Sequence, residues 1–373
     1  MRTRHLTLAL AACLPVALTA ASPAGAEPPR LNATVIQRGL VNPWDVAFAP
    51  DGRMLVTERP GRIRVYTGGR AGAAQLSVRT LKRVRAEGEA GVMGIAVLSR
   101  RPDPKVLVCA SRTTRQGRWR NQLMRYRLGD GGRLHFERVL IGDRIRANTI
   151  HDGCAVQIGP DRKVWLSTGD AGDLSLPQRG DSYNGKILRI NPDGSIPAGN
   201  PGTGTAVWSR GHRNPQGIAF RPGSGDVYAV EHGPDVNDEV NRIVRGGNYG
   251  WPYCAGTRPA NGFSRDCSRD SSPYRAPRWQ SGAPTLATSG AAFTRGSNWG
   301  PWRNDLFVST LKESDLRRFA FDGPPLRIGS TLYNGSFGRL RGVSRRSWKG
   351  GDALFLTTSN GSNDRVVRIT ARR

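Results

Sequence analysis

Carboxylates are scarce in this chain. It has 29 Asp and Glu against 56 Lys and Arg, a formal net charge of +27. Lysine is sparse too, at positions 82, 105, 163, 186, 312 and 349, so the excess is arginine. No basic helix, zinc finger or aromatic RNA-binding motif gathers those arginines, which are spread along the whole chain. This argues against a nucleic-acid partner and for a basic protein that adheres to anionic cell-envelope polymers. Long apolar runs are missing after the first 26 residues. The one extended run, Leu6 to Ala21, is too short and too closely followed by Pro for a membrane span. Arg2 and Arg4 precede it and Ala24-Gly25-Ala26 follows it, which predicts a secretory signal over residues 1–26 and a secreted or periplasmic protein with no integral membrane segment. A competing lipoprotein box, Leu10-Ala11-Ala12-Cys13, would leave only about seven apolar residues before Cys13.

Cysteine is rare as well. The four that follow the signal are an even number in an oxidising compartment, which predicts disulfides. Cys254 and Cys267 flank a polar loop and are expected to pair; Cys109 and Cys154 would then pair across neighbouring strands. None of the spacings is C-x2-C, which argues against a zinc site. Helical periodicity is absent.

In its place one pattern recurs six times: a small-residue entry, an alternating apolar strand, a turn and a second strand. The units open at Trp44-Asp45-Val46, Gly94-Ile95-Ala96, Cys154-Ala155-Val156, Gly217-Ile218-Ala219, Gly290-Ala291-Ala292 and Arg341-Gly342-Val343. Irregular spacings of about 50–75 residues mean a β-repeat array with variable insertions. The expected fold is all-β, a six-bladed β-propeller occupying residues 27–373 without a linker. A large sandwich or barrel would explain the strands but not their recurrence.

Polar groups cluster beside these strands. His151 precedes the third unit and Asp170 closes it. Arg213, Asn214 and Gln216 stand at the entry to the fourth. Lys312 follows the fifth; Arg339 and Arg341 open the sixth. Propeller geometry would gather them on one face. Four cations in one pocket with little local acid predict a ligand bearing several carboxylates or phosphates. The Gly- and Pro-rich stretch from Gly211 to Pro252 adds carboxylates and exposed carbonyls, which suit a hard metal ion.

These motifs resemble the soluble quinoprotein sugar dehydrogenases of the glucose, aldose and sorbosone types. The resemblance starts at Pro43-Trp44-Asp45-Val46-Ala47-Phe48 and Thr57-Glu58-Arg59-Pro60-Gly61-Arg62, runs through Gly185-Lys186-Ile187-Leu188-Arg189, and ends at Gly338-Arg339-Leu340-Arg341. It implies an enzyme that uses pyrroloquinoline quinone (PQQ) and calcium to oxidise an aldose hemiacetal to the lactone by hydride transfer to the quinone. His151 would be the general base and Asp170 its supporting carboxylate. Arg213 would stabilise charge on the quinone. Asn214, Gln216, Lys312, Arg339 and Arg341 would bind the cofactor. Calcium would take the carbonyls of Gly233 and Pro234, and a structural calcium would take Glu239 and the Tyr249 carbonyl. The reduced quinone would pass its electrons to an acceptor that the sequence does not name.

Departures from the family pattern fall on the substrate rim: Glu89 where a sugar-contacting Gln is usual, His232 before Gly-Pro, Ile150 before the His, Gly342 after Arg-x-Arg, and Val92-Met93. Two other functions share the scaffold: a calcium-dependent lactonase and a non-catalytic carbohydrate-binding propeller.

Overall fold

Each of the six apolar repeats forms the inner hairpin of a four-stranded antiparallel sheet. The computed structural model describes residues 27–98, 103–321 and 326–372; the expected signal at residues 1–26 lies outside them. The first blade runs outward through Pro43–Phe48, Met54–Glu58, Arg62–Tyr66 and Gln75–Thr80. The inner strands of the next five are Val92–Leu98, Gly153–Ile158, Pro215–Phe220, Thr288–Phe293 and Leu340–Trp348. Each pairs with the following strand, and neighbouring inner strands pack against one another in a closed ring. The expected six-bladed propeller is therefore the observed fold.

The small-residue entries have a steric cause. A Cβ built on Gly217 would stand 2.4 Å from the Ser289 carbonyl oxygen of the next blade, and one on Gly290 would stand 2.3 Å from Val343 N. Only glycine lets inner strands of adjacent blades approach so closely. The first blade carries Asp45 at this position. Its buried carboxylate accepts Ile95 N on one side (3.4 Å) and Ser344 Oγ on the other (2.9 Å), so it bonds both neighbouring blades.

Closure is non-local. The strand Arg30–Leu40 pairs antiparallel with Asp364–Arg372, from Arg30 opposite Arg372 to Leu40 opposite Asp364, and becomes the outer strand of the sixth blade. The two disulfides are the expected pairs. Cys109–Cys154 joins the second blade to the inner strand of the third, bridging two sheets rather than two strands of one sheet; Cys254–Cys267 closes a loop emerging from the fourth blade. No helix among the described residues is long and apolar enough to cross a membrane.

Candidate active site

In every blade the start of the inner strand lies beside the end of the second strand, because the two are an antiparallel hairpin. Second strands end at Glu58, Thr168, Glu231 and Thr310, so Arg59, Asp170, His232 and Lys312 follow them onto one face of the ring. His151, Asn214 and Arg341 reach the same face from the starts of inner strands.

His151 has a left-handed backbone (φ 58°), and its Nδ1 lies 2.7 Å from Asp170 Oδ1. Asp170 is fully buried and also accepts Gly172 N on Oδ1 and Trp251 Nε1 on Oδ2, both at 2.7 Å. With Asp170 as acceptor, the proton of a neutral imidazole sits on Nδ1 and the lone pair on Nε2. Asp170 N donates to the Arg213 carbonyl, which ties the dyad to the fourth blade.

Beside the dyad lies Glu89. Its Oε2 accepts His151 N (3.1 Å), Asn214 Nδ2 (3.0 Å) and Gln216 Nε2 (3.3 Å). Burial would raise this carboxyl, but His232, His151, Arg341 and the Asn214 bond together hold it below the usual carboxylate range. Gln216 Oε1 accepts Arg341 Nη1 at 2.8 Å, and Asn214 Oδ1 accepts Gly153 N. Arg341 is buried; burial, with Arg59 and Arg339 adding to it, pushes the guanidinium down to about 10 against the pull of Glu89. Asp152 is buried next to His151, and burial lifts it to about 7, with Glu89 adding to the rise. Arg213 lies 5.4 Å from the Trp251 ring centre.

Three buried nitrogens in this basin, Arg59 Nε, Arg213 Nε and His232 Nε2, have no hydrogen-bond partner. Buried donors of this kind are rarely left alone in a folded protein. Together with the arginine cluster they fit a ligand that brings several oxygens, as the tricarboxylate PQQ would. Lys312 and Arg339 are exposed, and the Lys312 ammonium makes no hydrogen bond or ion pair with the described residues.

Gly233, Pro234, Glu239 and Tyr249 line one small cavity with Glu231, Arg213 and Trp251, about large enough for a single water-sized occupant. Glu239 and Glu231 share the Asn241 amide at 2.7 Å each, and Asn241 Oδ1 is buried without a partner. Burial, with Glu231 adding to it, lifts Glu239 to about 8. No cluster of three His, Cys, Asp or Glu side chains among the described residues is set up to hold a metal. The lining instead offers the backbone of Gly233 and Pro234 and the carboxyls of Glu231, which also meets His212 Nδ1 at 3.0 Å, and Glu239, oxygen donors of the kind a hard cation takes. A cavity of about 890 Å³ opens at the opposite end of the channel, around Phe48, Ile158 and Phe220, and holds none of these groups.

Residues 40–368 match the Glucose / Sorbosone dehydrogenase family. The chain belongs to that family. It is 27% identical to aldose sugar dehydrogenase YliI of Escherichia coli, over 96% of each chain. It is 31% identical to quinoprotein glucose dehydrogenase B of Acinetobacter calcoaceticus, over 68% of this chain and 59% of that one. The solved structure of the PQQ-bound aldose sugar dehydrogenase of Streptomyces coelicolor matches with a TM-score of 0.76 and 30% identity, covering 93% of this chain and 100% of that one.

In this family member the structure brings together His151, Asp170, Arg213, Asn214, Gln216 and Arg341, and leaves Lys312 and Arg339 solvent-exposed. One expectation is corrected: the pocket is not poor in acid. Glu89 and Asp152 enter it from the loops before the second and third inner strands, which folding alone brings among the arginines. Arg59 and His232 also belong to the basin and were not among the expected cofactor ligands. Their signal was positional, since both directly follow the second strand of their blade, one place before the repeat position of Asp170 and Lys312.

Proposed function

We propose that the chain is an exported, PQQ- and calcium-dependent sugar dehydrogenase that oxidises an aldose hemiacetal to its lactone. The observation that carries this is the His151–Asp170 pair at 2.7 Å, with Nε2 left free beside a basin of arginines and partnerless buried nitrogens. His151 Nε2 takes the proton of the anomeric hydroxyl, and Asp170 stabilises the imidazolium that forms. When bound, PQQ supplies the acceptor for the two electrons released with the anomeric hydrogen. Arg59, Arg339, Arg341 and Lys312 would hold its carboxylates, Asn214 and Gln216 would donate to it, and Arg213 would offset the negative charge that develops. The carbonyls of Gly233 and Pro234, with Glu239 and Tyr249 nearby, would hold calcium. Trp251 and the buried wall around it shield Asp170 from water. A separate electron acceptor would be needed to restore the oxidised cofactor. The disulfides and the N-terminal pattern support export.

The test is reconstitution of purified apo-protein with PQQ and calcium, followed by an aldose and an artificial electron acceptor. Quinone-dependent dye reduction is expected. His151→Ala should still bind PQQ while turnover falls at least about a hundredfold. Lactone hydrolysis without quinone, or no activity at all, would overturn the proposal.

A further inference from the structure

The inner strands of the six blades align residue by residue, each with a register shift at its entry. Cys154 then matches Trp44, Met93, Gln216, Ser289 and Arg341. Of these six residues only Cys154 has a left-handed backbone (φ 71°). His151 (φ 58°) and Gly153 (φ 65°) are left-handed too, so the chain between the base and its strand is wound in a way that no other blade repeats. Glycine takes this conformation freely, and a Cβ at Gly153 would in any case stand 2.7 Å from Gly169 N. For His151 and Cys154 it is costly, and such strain persists only where the surroundings enforce it.

The surroundings of His151 are polar. Its N–H donates to Glu89 Oε2 at 3.1 Å and its carbonyl accepts Ala171 N at 3.2 Å. Cys154 is held by its sulfur. It is fully buried and bonded to Cys109, which is also fully buried, on the second strand of the neighbouring blade, Lys105–Thr113. The two blades touch at this point: a Cβ on Gly94 would stand 2.2 Å from the Cys154 carbonyl oxygen. No other inner strand carries a cysteine. The strand entry with the left-handed residue is therefore the one tied covalently to its neighbour, and it begins just after the base.

We propose that Cys154, through its bond to Cys109, is a positioning residue for the reaction: the disulfide keeps the left-handed turn that presents His151 to Asp170 and to the substrate. This rests on the dehydrogenase function proposed above. Without the bond, an alanine at position 154 relaxes toward the backbone of the five matching positions and carries His151 with it. A glycine at position 154 can stay left-handed at little cost.

The experiment compares the wild type with Cys109→Ala/Cys154→Ala and Cys109→Ala/Cys154→Gly, each reconstituted with PQQ and calcium, with kcat referred to quinone-loaded sites. The alanine pair should lose about tenfold in kcat while its affinity for PQQ is unchanged. The glycine pair lacks the same bond, yet should return to within about threefold of the wild type. A bond that only stabilises the fold would leave kcat per loaded site equal in all three proteins, and that result overturns the proposal. So does a glycine pair no more active than the alanine pair. Should the alanine pair fail to fold, the other two proteins decide. A water-soluble phosphine takes an oxygen from water to become its oxide, and the two sulfurs gain two electrons and two protons to become thiols. Once titration shows every disulfide open, kcat should have fallen about tenfold in the wild type and not in the glycine pair; an equal change in both overturns the proposal. A further readout needs no turnover. The His151 amide hydrogen, bonded to Glu89, should exchange faster in the alanine pair or the reduced wild type than in the oxidised wild type or the glycine pair, and equal exchange throughout overturns the proposal. That order of exchange, with no dye reduction from any aldose, would leave the hold on His151 standing and retire the dehydrogenase function instead.

Discussion

Replacing Asp170 by Asn tests whether the His151 tautomer is set by the wiring around that carboxylate. Asp170 accepts three donors with two oxygens: His151 Nδ1 and Gly172 N on Oδ1, and Trp251 Nε1 on Oδ2, each at 2.7 Å. Asparagine has one oxygen. If that oxygen faces His151 and Gly172, its NH2 meets the indole N–H, donor against donor in a fully buried place, at a cost of about 1–3 kcal/mol. If it faces Trp251 instead, the NH2 meets His151 Nδ1, which must become the acceptor. The proton then moves to Nε2, the lone pair needed for catalysis is gone, and Gly172 N loses its partner. Asp170→Asn should therefore lose at least about a hundredfold in kcat and about 1–3 kcal/mol of stability. Adding Trp251→Phe removes the competing donor. The amide can then settle with its oxygen toward His151, and the double variant should be more stable than Asp170→Asn alone and recover at least about tenfold of kcat, a coupling of about 1–2 kcal/mol. Full activity would not return, because a neutral amide stabilises the imidazolium less than a carboxylate. The assay is dye-coupled kinetics on the reconstituted enzyme, with urea unfolding of all four proteins. Purely additive losses in the double variant would refute the wiring argument.

Asp45 gives a pH signature. Burial raises its carboxyl from 3.8 to about 7, against the bonds from Val46, Ser344 and Ile95. The folded chain keeps a proton that the unfolded chain loses, so the stability contributed by this group is complete below about 3.8 and is lost as pH rises towards about 7. Asp45→Asn should gain on the wild type across that window, by at most about 1.4 kcal/mol per pH unit; a pH-independent difference in urea midpoints would contradict this. Lys186 is fully buried and donates to the carbonyls of Leu176, Pro177 and Asn184 at 2.8–2.9 Å. Lys186→Met strands three acceptors and should cost about 3 kcal/mol or more; a loss below about 1 kcal/mol would argue against that anchoring. Calcium at about a hundredfold its dissociation constant should stabilise the wild type by about 2.7 kcal/mol. Glu239→Gln should lose most of that gain, and a wild-type melting temperature unmoved by calcium would count against the oxygen-lined cavity as a metal site.

The inner hairpins were legible in the sequence because burial on both faces leaves unbroken apolar runs between turn signals, and because ring closure demands small residues at fixed positions such as Gly217 and Gly290. The outer strands were not. Arg327–Leu332 alternates exposed and half-buried residues and reads as loop until Leu316–Ala320 pairs with it. The closing strand Arg30–Leu40 has no local signal at all, since its partner lies more than three hundred residues away. Much of the site was visible for the same reason as the hairpins: Asp170 and Lys312 occupy one repeat position, and aligning the units places Arg59 and His232 at the position just before it. Glu89 reaches the centre through a loop anchored on Thr149, a tertiary contact that no repeat encodes. Glu89 was legible only as a departure on the substrate rim, and its convergence with Asp152 on the arginines was not legible at all.

The most direct measurement is a crystal structure of the protein with PQQ and calcium bound. The account predicts the quinone on the His151 face, its carboxylates against arginines that include Arg341, Nε2 of His151 open toward it, and the metal against the Gly233 and Pro234 carbonyls. A quinone lodged in the opposite cavity around Phe48 and Phe220, or one that leaves Arg59 Nε, Arg213 Nε and His232 Nε2 still without partners, would contradict it.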